Sequence, residues 1–122
     1  MIGYTTFGTN DLARAGRFYD GVLAELGGKR AMNTDSLIGW SSAPGSPMVA
    51  VIKPNDGKAA TVGNGVMVAL ATTSKAQVDA VYAKAIALGG KDEGKPGPRG
   101  GNFYAGYFRD LDGNKLNAFF MG

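Results

Sequence analysis

The chain has 122 residues, of which 44% are hydrophobic and 19% charged, a composition typical of one ordinary globular domain. Its 13 basic and 10 acidic residues give a formal net charge of +3, and no basic stripe typical of nucleic-acid binding is visible. No apolar run approaches about 18 residues, so a membrane span is not expected. Met1 leads directly into a strand-like segment without a signal peptide, and we therefore expect a cytoplasmic protein.

The chain contains no histidine and no cysteine. Carboxylates, amides, hydroxyls and carbonyls are the only groups left to bind a metal ion, and the side chain best suited to proton transfer near neutral pH is missing. We therefore expect no metal ion and no other cofactor.

The first half of the chain is predicted to form one strand, one helix and three further strands. Residues 1–7 are β-prone, and Asn10 or Asp11 is expected to cap a helix whose apolar side chains recur at helical spacing as far as Leu26. Gly27 and Gly28 are expected to end this helix. Strands are predicted at 29–33, 36–42 and 47–53, with turn-forming residues between them.

The second half repeats this plan. A strand at 66–71 precedes a Ser-x-x-Gln capping box at Ser74, and the helix that follows ends at Gly89-Gly90. Strands near 91–93, 103–109 and 115–120 complete the chain. The Leu-Gly-Gly-Lys runs at 26–29 and 88–91 match at a spacing of 62 residues. The sequence therefore predicts two βαβββ modules, residues 1–53 and 65–122, joined by a linker of residues 54–64.

The last two strands form a hairpin in which Gly113 supplies the positive φ of a tight turn. Its Arg-Asp-x-Asp-Gly-Asn-Lys run at 109–115, together with Asn-Asp-Leu at 10–12 and Gly-Asn-Gly-Val at 63–66, resembles the vicinal oxygen chelate superfamily. That superfamily includes glyoxalase I, bleomycin-resistance and extradiol dioxygenase proteins. The resemblance covers the whole chain and implies an α+β fold in which two βαβββ modules form a curved mixed sheet around a cleft. It also implies a homodimer.

Metal-using members of this superfamily place a His or Glu in the cleft from the first and last strands of each module. By resemblance, these positions fall on Tyr4, Met67, Asn117 and a residue near Val51. Such side chains cannot replace a His/Glu set, because Asn117 alone offers a carbonyl oxygen. The resemblance therefore implies a cleft without a metal ion.

We expect the ligand to contact side chains that face the cleft, and we assign no catalytic residue. The candidate ligand-binding residues are Tyr4, Trp40, Met67, Arg99, Tyr104, Asn117 and Phe119. Core or dimer packing is an equally good interpretation of the aromatic members. Arg99 lies in the Gly/Pro-rich segment 94–102, which reads as a flexible connector or as a lid at the rim of the cleft.

These observations favour a metal-free protein that binds a small molecule in its cleft. Two alternatives stay open. One is a glyoxalase-like lyase or isomerase that uses Tyr4 or a group of the ligand in place of a metal. The other is a drug-sequestering protein of the bleomycin-resistance type. A cationic drug requires an acidic cleft, and the net charge of +3 argues against such a cleft in this chain.

Overall fold

The computed structural model describes all 122 residues, and its elements follow the order βαβββ twice. The first module contains β1 (Tyr4–Gly8), α1 (Leu12–Ala24), β2 (Lys29–Asn33), β3 (Leu37–Ser41) and β4 (Met48–Ile52). The second contains β5 (Val68–Ala71), α2 (Lys75–Ala87), β6 (Lys91–Pro98), β7 (Phe103–Arg109) and β8 (Lys115–Met121). The predicted fold class, with two βαβββ modules of eight strands and two helices, is confirmed. Neither helix is long and apolar enough to cross a membrane.

Both helices begin and end where local chemistry predicts. The Asp11 carboxylate accepts a hydrogen bond from the Arg14 N–H at 3.0 Å, and the Ser74 hydroxyl oxygen accepts one from the Gln77 N–H at 3.1 Å. Each bond satisfies a backbone donor that the first turn of a helix leaves without an intrahelical partner. Beyond the helix ends, Gly27 and Gly89 have φ values of +75° and +100°, which L side chains rarely adopt.

Strand β6 differs from the prediction because it continues to Pro98 instead of ending near residue 93. Most of the segment expected to be a connector or lid is therefore paired with β7, with register shifts at Gly94 and Gly97. The two prolines of this strand are tolerated because β6 lies at the edge of its sheet, where backbone donors need no partner strand.

Each module has its own four-stranded mixed sheet. The strand orders are β1-β4-β3-β2 and β5-β8-β7-β6, so β1 and β5 are both edge strands. The resemblance implied one curved sheet that continues from module to module, but no hydrogen-bonded strand pair joins the two sheets within the chain. The helices pack against each other, and the modules share one hydrophobic core.

Alternation along each strand gives each sheet an inner face, which contacts the helices and the core, and an outer face on the opposite side. On β1, Phe7 is 5% exposed and belongs to the core, whereas Tyr4 is 61% exposed. On β8, the inner residues Leu116 and Ala118 are fully buried. The outer faces carry exposed side chains such as Tyr4 and Met121, although Ala50, Ala105 and Asn117 on them are buried.

The turn between β7 and β8 fastens the second module to the first, and we call this network the clamp. The buried Asp110 carboxylate accepts hydrogen bonds from the Tyr19 hydroxyl at 2.6 Å and the Asn114 side-chain amide at 2.9 Å. That amide also donates to the Gly8 carbonyl at 3.0 Å, and Asp112 accepts from the Thr9 hydroxyl at 2.6 Å. The hairpin motif therefore joins the two modules.

The clamp predicts a loss of stability in alkali. Burial, reinforced by the negative charge of Asp110, raises the pKa of Tyr19 well above its ordinary value of 10.0. The unfolded chain releases this proton near pH 10 while the folded protein retains it, so the stabilisation is complete below about pH 10 and declines as the pH rises further. Unfolding by urea at a series of pH values should show this decline. If Tyr19→Phe declines as steeply as the wild type, Tyr19 is not its source.

Candidate functional site

The outer face of the second sheet carries aromatic, basic and amide side chains close together. Phe103, Ala105, Tyr107 and Arg109 alternate onto it from β7, and Lys115, Asn117, Phe119 and Met121 do so from β8. The rings of Phe103 and Phe119 stack with their centroids 5.5 Å apart. This face therefore has an aromatic end at Phe103 and Phe119. Its polar end begins at the next outward-facing pair along the strands, Tyr107 and Asn117.

Tyr107 is the centre of the polar end, where two cations lie against its ring. The Arg99 guanidinium carbon is 5.4 Å from the ring centroid and the Lys115 ammonium nitrogen is 5.6 Å from it. Neither cation has a carboxylate oxygen within 4 Å, because the three ion pairs of the chain involve other basic residues. The ring thus holds two positive charges that no acidic side chain neutralises directly.

Asn117 lies opposite Tyr107 in the β7–β8 pair, so the two side chains share the outer face. It is only 2% exposed, and its side-chain carbonyl oxygen has no hydrogen-bond donor. A buried acceptor without a donor costs free energy, and such groups are rare in folded proteins. Asn117 therefore provides an unused acceptor at this site.

A hollow of about 540 Å³ borders the same region. Residues 62–67 form one wall, which includes Met67, and the side chains of Arg109 and Lys115 form the other. Arg109 donates to the Glu93 carboxylate at 2.7 Å, and this hydrogen bond lowers the pKa of Glu93. Arg109 is therefore paired, whereas Lys115 has no carboxylate oxygen within 4 Å and acts on Glu93 from a longer distance.

Four of the seven predicted ligand-binding residues lie on or beside the outer face of the second sheet; they are Met67, Arg99, Asn117 and Phe119. Tyr4 lies on the outer face of the first sheet, in the other module, and is therefore apart from these four residues.

The remaining two predicted residues face inward. Trp40 is 2% exposed, and its indole N–H donates to Asp20 at 2.8 Å. The Tyr104 hydroxyl donates to Asp79 of α2 at 2.7 Å. Both rings pack towards the helices, so neither lies on the outer face of a sheet.

Sequence reasoning missed Tyr107 and Lys115. The signal was available in the alternation of β8, because Lys115 stands two residues before Asn117 and therefore shares its face. The position of Tyr107 could be deduced from the hairpin turn, because the turn fixes the register in which Tyr107 pairs with Asn117.

The positions to which the resemblance assigns metal ligands, Tyr4, Met67, Asn117 and a residue near Val51, do not fit a divalent ion in this chain. Val51 is fully buried on the inner face of its sheet, and Tyr4 and Met67 supply no carboxylate or imidazole. No group of three or more His, Cys, Asp or Glu side chains is arranged to hold a metal ion. A single amide oxygen from Asn117 does not make a site for a hard or borderline divalent ion.

Comparison with known proteins agrees with this architecture. A glyoxalase/bleomycin resistance protein from Albidiferax ferrireducens is 35% identical, with a TM-score of 0.92 over 100% of this chain and 99% of that one. A hypothetical protein from S. aureus is 25% identical, with a TM-score of 0.77 over 98% and 92% of the two chains. A lactoylglutathione lyase from Agrobacterium tumefaciens is 22% identical and shares the fold, with a TM-score of 0.73 over 98% and 92%.

No curated protein is similar enough to count as a relative of this chain. The family profile described as Glyoxalase/Bleomycin resistance protein/Dioxygenase superfamily matches residues 1–118. Together with the repeated βαβββ plan, this match means that the chain belongs to the glyoxalase/bleomycin resistance protein/dioxygenase superfamily.

Proposed function

We propose that two copies of this chain pair edge to edge through β1 and β5, and that the outer faces of the joined sheets line a cleft that binds a small molecule without the aid of a metal ion. The observation that carries the proposal is that each outer face presents an exposed large apolar side chain. Tyr4 is 61% exposed on the first sheet, and Met121 is 59% exposed on the second. Large apolar side chains that are exposed on a sheet face favour contact with a partner or a ligand.

The edge strands indicate how the two copies meet. β1 and β5 each bond to a partner strand on one side only, which leaves backbone donors and acceptors of alternate residues free on the other side. If β1 of one copy lies beside β5 of the second copy, one continuous curved surface forms. Tyr4 of one copy then approaches Met67 of the other.

The small-molecule part of the proposal rests on the mixture of groups at the site. An aromatic stack, a hollow of about 540 Å³ and a few polar groups are the features of sites that bind small organic ligands. The outer face of the second sheet offers all three.

Native mass spectrometry of untagged protein tests this proposal in one measurement. We expect a mass of two chains, with no stoichiometric metal ion and, where the ligand is retained, an added mass of a small organic molecule. A monomer at micromolar concentration, or one equivalent of a transition metal that survives dialysis, would contradict the proposal.

A further inference from the structure

Three aromatic rings of the chain contact cations, and they differ in whether a carboxylate is bonded to the aromatic side chain. Arg30 lies 5.8 Å from the Trp40 ring, and the Trp40 indole N–H donates to the same Asp20 that pairs with Arg30. Lys75 lies 5.7 Å from the Tyr104 ring, whose hydroxyl donates to Asp79. In each of these two sites a carboxylate therefore accepts a hydrogen bond from the N–H or O–H group of the aromatic side chain itself.

The site at Tyr107 lacks that carboxylate although it holds two cations. The Tyr107 hydroxyl makes no hydrogen bond to an acidic residue, and neither Arg99 nor Lys115 forms an ion pair. Two like charges beside one ring repel each other, and the ring quadrupole compensates for only part of that repulsion. The acidic groups nearby, Asp92 and Glu93, act on Arg99 and Lys115 only from beyond 4 Å. The Tyr107 ring therefore lacks the directly bonded negative charge that is present at Trp40 and Tyr104.

We propose that this missing charge is supplied by the ligand, which is a small organic carboxylate bound between Arg99, Lys115 and Tyr107. The inference rests on the proposed function and assigns the ligand class of that same site. A carboxylate matches the planar donors of Arg99 in a bidentate manner and the point charge of Lys115. Lys115 also borders the hollow, so an anion held there has room for its carbon skeleton.

The other side chains of the face define the rest of the ligand. The unpartnered carbonyl oxygen of Asn117 requires a donor, which a hydroxyl or amino group close to the carboxylate provides. The stacked rings of Phe103 and Phe119 suit an apolar or aromatic group. The ligand is therefore a hydroxy- or amino-substituted carboxylate with an apolar part.

Mandelate carries a phenyl ring, a hydroxyl and a carboxylate, and it serves as the probe. Mandelamide has the same skeleton without the charge, and phenylacetate has the charge without the hydroxyl. Calorimetric titration at low salt should give an affinity for mandelate at least about tenfold higher than for mandelamide, with phenylacetate between them. Mandelate binding should weaken as salt is added, whereas mandelamide binding should not.

Lys115→Gln and Arg99→Gln should each weaken mandelate binding roughly tenfold and leave mandelamide binding unchanged, since only the charge-assisted contacts are lost. Lys58→Gln in the exposed linker is the matched control and should change neither affinity. Equal melting temperatures would show that all three variants are folded.

The carboxylate assignment is overturned if mandelamide binds as tightly as mandelate, if both substitutions leave mandelate binding unchanged, or if none of the probes binds. In the first two cases the proposed small-molecule function survives, because a ligand still occupies the cleft. A monomeric protein in native mass spectrometry would remove that function independently of any probe.

Discussion

Replacing Asp110 with alanine is expected to lower the free energy of unfolding by about 3 kcal/mol and the melting temperature by roughly 10 °C. The carboxylate accepts four hydrogen bonds, from the Tyr19 hydroxyl, the Asn114 side-chain amide and the backbone N–H groups of Asp112 and Asn114. Removing it leaves buried donors without an acceptor, which costs more than the bonds themselves contribute. Because these bonds join the modules, the loss should affect the whole chain.

Asp92→Ala is the matched control for this experiment. Asp92 also accepts a hydrogen bond from a tyrosine hydroxyl, that of Tyr82 at 2.7 Å, but both groups lie near the surface. Water replaces an exposed partner at little cost, so the melting temperature of this variant should stay close to that of the wild type. If thermal unfolding gives the same shift for both variants, the clamp is no more important than a surface hydrogen bond.

The helices and their ends could be predicted from the sequence because neighbouring residues determine them. Asp11 and Ser74 each satisfy a donor three residues ahead, and Gly27 and Gly89 adopt the backbone conformation that their lack of a side chain permits. Such signals depend on a handful of adjacent positions. The second module could be predicted in the same way, because the sequence repeats after 62 residues and each copy carries its own helix caps.

The relation between the sheets could not be predicted, because it depends on contacts between residues far apart in sequence. The bond from Tyr19 to Asp110 spans 91 residues, and nothing near either residue identifies the other. The resemblance supplied a curved sheet around a cleft but not whether one chain or two would complete it. The two separate sheets of this chain make the second possibility the natural hypothesis.

The face that a strand residue occupies was predictable only in part. Alternation groups Ile38 with Trp40 on β3, but it does not say which group meets the helices. The indole bond to Asp20 on α1 settles this for Trp40, and the bond to Asp79 on α2 settles it for Tyr104. These acidic partners stand on helix surfaces, where a charged residue usually indicates nothing more than solvent contact.

The second large effect is expected at Met67, where an aspartate should weaken the association of two chains by roughly 100-fold or more. In the proposed dimer Met67 lies against Tyr4 of the second copy, and a carboxylate in that contact loses its hydration without gaining a partner. Met67 is 37% exposed in the single chain, so the same substitution should cost the folded monomer less than about 1 kcal/mol.

Ile86→Asp is the control that isolates the effect of position. Ile86 is 36% exposed, which matches Met67, but it lies on α2 and away from both outer faces. The two variants introduce the same charge at the same degree of exposure, so any general effect of an added carboxylate on solubility or folding is common to both. Sedimentation equilibrium over a concentration series should show a monomer for Met67→Asp under conditions in which Ile86→Asp remains dimeric. If the two variants dissociate at the same concentration, Met67 does not lie at the interface, and the cleft must be sought within one chain.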